Sequence, residues 1–151
     1  MINLSNYKEI VTKAVVGKGK KSSKNEFTVE TEEKPNTILG CWVINHNFKG
    51  IKSGNDVIVN GSFDVNIWYS YDSDSKTSVS NKTLTYEETM NMKLESLDIS
   101  NEDIIIKALK QPTVADVSIK DGLVNLTIEK ELGVEVIGDT KVKIAVEDTD
   151  D

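Results

Sequence analysis

His46 and Cys41 are the sole histidine and the sole cysteine of the chain, so they are the first residues to test for chemistry. A structural zinc site takes four ligands, and one residue of each kind cannot supply them. The two stand five positions apart, and in a regular strand an odd spacing sends side chains to opposite faces. The expectation is a buried thiol and a hydrogen-bonded histidine at the rim of a core. A lone cysteine also excludes a disulfide within the chain.

Two stretches resemble ligand loops and fall short. Asp72, Ser73, Asp74 and Ser75 begin like a calcium loop. The next oxygen ligand, the glycine and the closing glutamate of that pattern are here Lys76, Thr77 and Thr83, so a polar hairpin turn is expected. Gly17-Lys18-Gly19-Lys20-Lys21-Ser22 lacks the two glycines, with four residues between them, that precede the lysine of a phosphate loop. No serine–histidine–aspartate set and no evident pair of carboxylates stands out. The inventory points to a chain that is not an enzyme and needs no cofactor or metal.

Charge narrows the partners. The formal net charge is −7, and all 18 basic residues are lysines. An acidic chain is poorly suited to replacing the counterions of nucleic acids. The absence of arginine removes the best bidentate partner for phosphate and carboxylate. Lys18, Lys20, Lys21 and Lys24 nevertheless gather in one stretch, while Glu147, Asp148, Asp150 and Asp151 gather at the other end. Opposite patches on one chain can steer head-to-tail association, so Lys18, Lys20, Lys21, Lys24, Asp148, Asp150 and Asp151 are candidate interface residues. The start MINLSNYKEIVTKAVV lacks the pattern of a signal peptide. No apolar stretch approaches the ~20 residues of a membrane helix. A cytosolic protein without membrane insertion is expected.

The elements that carry these residues read as strands. EIVTKAVV (9–16) is a first strand, and GKGKKSSKN (17–25) a basic loop. FTVET (27–31) and TILGCWVINHNF (37–48) follow, the latter with Gly40 at a bulge. Lys49-Gly50 and Ser53-Gly54 mark turns. In 56–72 the odd positions Val57, Val59, Phe63, Val65, Ile67, Tyr69 and Tyr71 are apolar and most even ones polar, the alternation of a half-buried strand. At about 3.3 Å per residue this run would span roughly 50 Å, more than the about 40 Å expected across such a domain. A bend at Gly61 is therefore expected. Trp68 falls in register with the polar residues, which makes it, with Trp42, a candidate contact residue over a core holding Tyr69 and Tyr71.

Residues 76–94 return from a turn at 73–75. SNEDIIIKALKQ (100–111) fits a helix or a strand, and its β surroundings favour the strand; Pro112 ends or bulges it. VADVSI (114–119) and LVNLTIEKE (123–131) form a hairpin about Lys-Asp-Gly, and 134–147 is the last strand. The sum is an all-β chain: an antiparallel β-sandwich or flattened barrel with at most one short helix near 101–110. It reads as a single domain, 1–147, with an acidic tail, 148–151.

Five phrases, TKAVVGKGKK (12–21), KPNTILGCWVINHNF (34–48), GSFDVNIWYSYDSDSKTSV (61–79), KALKQPT (107–113) and KELGVEVIGDTKVKI (130–144), run in order along nearly the whole chain. On these the chain resembles the outer spore coat morphogenetic protein CotE family of endospore-forming bacteria. The resemblance implies a non-enzymatic protein that assembles around the forespore in the mother-cell cytoplasm and then resides in the spore coat. It implies binding to itself, as a homo-oligomer, and to other spore coat proteins, linking the inner coat layer to the outer coat. The Bacillus members carry a long acidic extension, whereas this chain ends in EDTDD, as a clostridial-type member. The other reading of the residues is a small-ligand or carbohydrate-binding β-sandwich, with Trp68 stacking on a sugar.

Overall fold

The alternation of residues 56–72 recurs along the chain, and each alternating run forms a strand. The structure, a computed structural model, describes residues 7–94 and 100–145, with side chains for 12–92 and 103–139. The strands are β1 (Tyr7–Val29), β2 (Thr37–Ser53), β3 (Asp56–Tyr71), β4 (Lys76–Asn91), the two-residue β5 (Lys93–Leu94), β6 (Ser100–Lys120) and β7 (Leu123–Ala145). One antiparallel sheet has the order β5-β1-β7-β6 and the other β2-β3-β4, so each contains three long strands. Neither sheet closes into a barrel, and the described residues contain no helix. The sandwich is realised, not the flattened barrel, and 101–110 lies in β6.

The strands run longer than their local sequences suggest. Residues 17–25, expected as a loop, are the middle of β1. They are held by β7, with Lys18 opposite Glu135 and Lys24 opposite Glu129. Pairing with a central strand here overrides the weak strand preference of glycine and lysine. Lys49-Gly50, expected as a turn, pairs with Val59 and Asn60 inside β2. Gly50 is needed there because Ile106 of β6 occupies the space a side chain would fill. β6 passes through Pro112 by a register shift between Lys110 and Thr113, on an edge strand where proline is tolerated.

Turn chemistry fixes the hairpins. Asp121 (φ 54°) and Gly122 (φ 77°) join β6 to β7, the two left-handed residues of a tight hairpin turn. Gly54 (φ 61°) begins the turn from β2 to β3. Asp72, Ser73 and Asp74 all adopt positive φ between β3 and β4, closed by Ser75 N–H donating to the Asp72 carbonyl at 3.2 Å.

The core forms where central strands β3 and β7 face each other. Val57, Val59, Phe63, Val65, Ile67 and Tyr69 of β3 are buried with Val124, Leu126, Ile128, Leu132, Val134 and Val136 of β7. Each such side chain contributes about 1.5–3 kcal/mol by leaving water. Tyr71 packs half-buried beside them, and Trp68 points outward. Pairing between β3 and β4 is unbroken at Gly61; the bulges lie instead in β2, at Leu39 and at Asn45–His46. Gly61 serves a close approach, because the Tyr86 ring lies across the position its side chain would take.

Candidate functional site

Between the sheets, the apolar stripe of β7 is interrupted by a lysine. Lys130 falls in phase with Ile128 and Leu132 and is 2% exposed. Its ammonium donates at 2.9 Å each to Glu88 Oε1, Ser23 Oγ and Asn25 Oδ1, which uses its three hydrogens. It also sits 4.1 Å from the centroid of the Tyr86 ring. Glu88, buried on β4, receives Lys21 at its other oxygen at 3.0 Å. Burial opposes the Glu88 charge, but the hydrogen bonds and charges of Lys130 and Lys21 outweigh it and hold the carboxyl below its usual range.

The same band reaches the opposite side. The Tyr86 hydroxyl meets His46 Nε2 at 2.6 Å, and His46 Nδ1 meets Gln111 Oε1 at 3.0 Å. Nδ1–H donating to Gln111, with Nε2 accepting from Tyr86, satisfies a neutral ring. A polar chain thus crosses the sandwich from Gln111 on β6 through His46, Tyr86, Lys130 and Glu88 to Lys21 on β1, with apolar core on both sides. Its signal was present in the sequence: Lys130 and Glu88 each occupy an inward phase position. A buried ion pair adds little net stability over apolar packing but disfavours strand registers that would separate its partners.

The bulge at Asn45 (φ 57°) reverses the phase of β2, so Cys41 and His46 both face inward, not to opposite sides. Cys41 is half-buried, and burial pushes its thiol up to about 11. Among the described residues no three His, Cys, Asp or Glu side chains gather to hold a metal ion.

The β2-β3-β4 sheet offers two surfaces to partners. The first is the outer face of the β2-β3-β4 sheet, where Trp42 and Trp68 are 44% and 43% exposed. The second is the outer edge of β4, with which no described strand pairs. Its pairing with β3 runs from Lys76 to Asn91 without a shift, and it contains no proline. Of the other long edges, β2 is interrupted at two places and β6 at four, one of them containing Pro112; β1 is shifted at Val16 and covered by β5 at Gly17 and Lys18, which leaves a shorter unbroken run, Gly19 to Val29. Bulges and proline are the usual means of blocking strand addition, and β4 has neither. Among the described residues, Lys21 Nζ reaches the Thr89 carbonyl at 3.4 Å, and the Glu32 side chain reaches Ser80 and, at 3.6 Å, Lys82.

The structure divides the four lysines by place. Lys21 turns to Glu88, and Lys24 lies 3.8 Å from Glu129. Lys18 and Lys20 border a groove of about 270 Å³ with Ile105, Leu109 and Glu135. Asp148, Asp150 and Asp151 lie outside the described residues. The family model described as outer spore coat protein E (CotE) matches residues 6–151. No curated protein and no solved structure matches the chain.

Proposed function

The chain belongs to the outer spore coat protein E (CotE) family and so is a spore coat protein; from that premise we propose that it is a structural protein that assembles on itself through the β4 edge and links the inner coat layer to outer coat proteins. The unbroken 16-residue β4 edge carries this reading. Its unpaired backbone donors and acceptors offer a template for a strand from a second copy or another coat protein. Assembly begins in the mother-cell cytoplasm and ends in the coat around the forespore. Lys18 and Lys20 add a basic surface that the acidic residues Asp148, Asp150 and Asp151 of a neighbouring copy complement.

Size-exclusion chromatography with light scattering at rising protein concentration tests the reading. A defined oligomer or larger array is expected. A strict monomer at high concentration overturns it. Association that weakens with salt supports the lysine and acidic-tail contact, and association indifferent to salt removes that contact while leaving the edge.

A further inference from the structure

The outward side chains of β3 run Trp68, Asn66, Asp64, Ser62 and Asn60: an indole followed by amide, carboxylate, hydroxyl and amide groups. The flanking strands extend each row. Gly40 and Val79 lie opposite Trp68, Trp42 and Asn81 opposite Asn66, and Ile44 and Thr83 opposite Asp64. Trp42 and Trp68 are diagonal neighbours, so their attachment points are about 7–8 Å apart. The six-membered rings of both come within 3.5 Å of where a side chain on Gly40 would begin. The two exposed indoles thus converge over the glycine, which lets both lie close to the sheet.

The polar groups beside the indoles are already oriented. Asp64 accepts from Asn45 Nδ2 at 2.9 Å and from Thr83 Oγ1 at 2.6 Å, and Asn81 Nδ2 donates to Asn66 Oδ1 at 2.7 Å. Those bonds from Asn45 and Thr83 hold the Asp64 carboxyl below its usual range. They leave capacity for a ligand, since a carboxylate offers about four acceptor sites and an amide two donors.

This chemistry selects a ligand class. Flat apolar ring faces beside groups that bind hydroxyls suit a pyranose, whose C–H face stacks on an indole while its hydroxyls bridge amide and carboxylate. None of the three rows contains a lysine, and the nearest one on the face, Lys49, lies in the row of Asn60, so the surface about the indoles offers little to an anionic lipid surface or an acidic polymer. We propose that the outer face of the β2-β3-β4 sheet binds a neutral polysaccharide, its sugar rings laid on Trp42 and Trp68 and its hydroxyls held by Asn66, Asp64 and Asn81. The site uses the face of the sheet and leaves the β4 edge free, so it stands apart from the assembly reading.

The test titrates the full chain with soluble oligosaccharides of β-1,4-linked glucose and of β-1,4-linked N-acetylglucosamine. Polygalacturonate serves as the charged control. Tryptophan fluorescence and calorimetry report binding. At least one neutral probe is expected to bind and to shift the emission. Trp68→Ala and Trp42→Ala, with folding checked by circular dichroism, are each expected to weaken binding about tenfold or more, the loss of a stacked ring. Asp64→Asn, which keeps the shape, is expected to weaken it less. Failure of both neutral probes at millimolar concentration overturns the proposal, as does unchanged binding by both tryptophan variants or preference for polygalacturonate. If Trp68→Ala alters the oligomer mass and leaves sugar binding intact, the face is a contact between copies and the proposal is wrong.

Discussion

The Lys130 ammonium and the Glu88 carboxylate meet at 2.9 Å between the two sheets, where the alternation of β7 and β4 calls for apolar side chains. Their surroundings are unequal, and the inequality is testable. Glu88→Leu leaves Lys130 buried with only neutral partners, which should cost about 3–5 kcal/mol. Lys130→Met leaves Glu88 still paired with Lys21 at 3.0 Å, so its cost should be smaller. The double variant should regain much of the loss, because a buried pair replaced by apolar residues is often near neutral. Urea unfolding measures all three. A Lys130→Met variant less stable than Glu88→Leu contradicts this account.

Acid should destabilise the fold in two stages. Burial lowers the His46 pKa from 6.5, and the Lys130 charge adds to this against the Gln111 hydrogen bond. Below pH 6.5 the unfolded chain therefore binds the proton more readily, and stability falls as pH falls. Glu88 is also held below its ordinary value of 4.5, so its contribution is present above that pH and is lost as pH drops through the folded value. His46→Asn should remove the first stage and leave the second. Unfolding midpoints between pH 7.5 and pH 3 decide it, and an unchanged profile in His46→Asn refutes the assignment.

Tyr86 reaches His46 by crossing β3 over Gly61. Gly61→Ala should therefore destabilise by about 1–3 kcal/mol, the usual cost of overpacking. Combined with Tyr86→Ala, which vacates the space, the same substitution should cost much less than alone. Additive losses in the double-mutant cycle would show that the ring is not what Gly61 accommodates.

Cys41 should be slow to alkylate. Burial raises its pKa from 9.0 to about 11, which lowers the thiolate fraction near pH 8 by roughly a hundredfold. Iodoacetamide labelling of native against urea-unfolded protein measures the ratio. Equal rates contradict a half-buried thiol.

Much of this was legible in local sequence. Alternation located β3, Trp68 stood out of phase and lies on the outer face, and Asp121-Gly122 marked its hairpin. The polar band was legible in principle, because a charge in an inward phase is visible once the phase is known. What local sequence did not carry is what a partner strand imposes. Residues 17–25 are a strand because β7 holds them, and Cys41 shares a face with His46 because a bulge at Asn45 reverses the phase. The pairing of indoles proposed as a sugar site likewise depends on register, which brings Trp42 and Gly40 of β2 beside Trp68 of β3.

The central claim is that β4 is the edge that adds a strand. Amide hydrogen exchange compared between dilute and associated protein tests it directly. The account predicts that alternate amides between Lys76 and Glu88 slow on association, while those of β1, β2 and β6 keep their dilute rates. Association with unchanged exchange along β4, or protection confined to β1, β2 or β6, would contradict it.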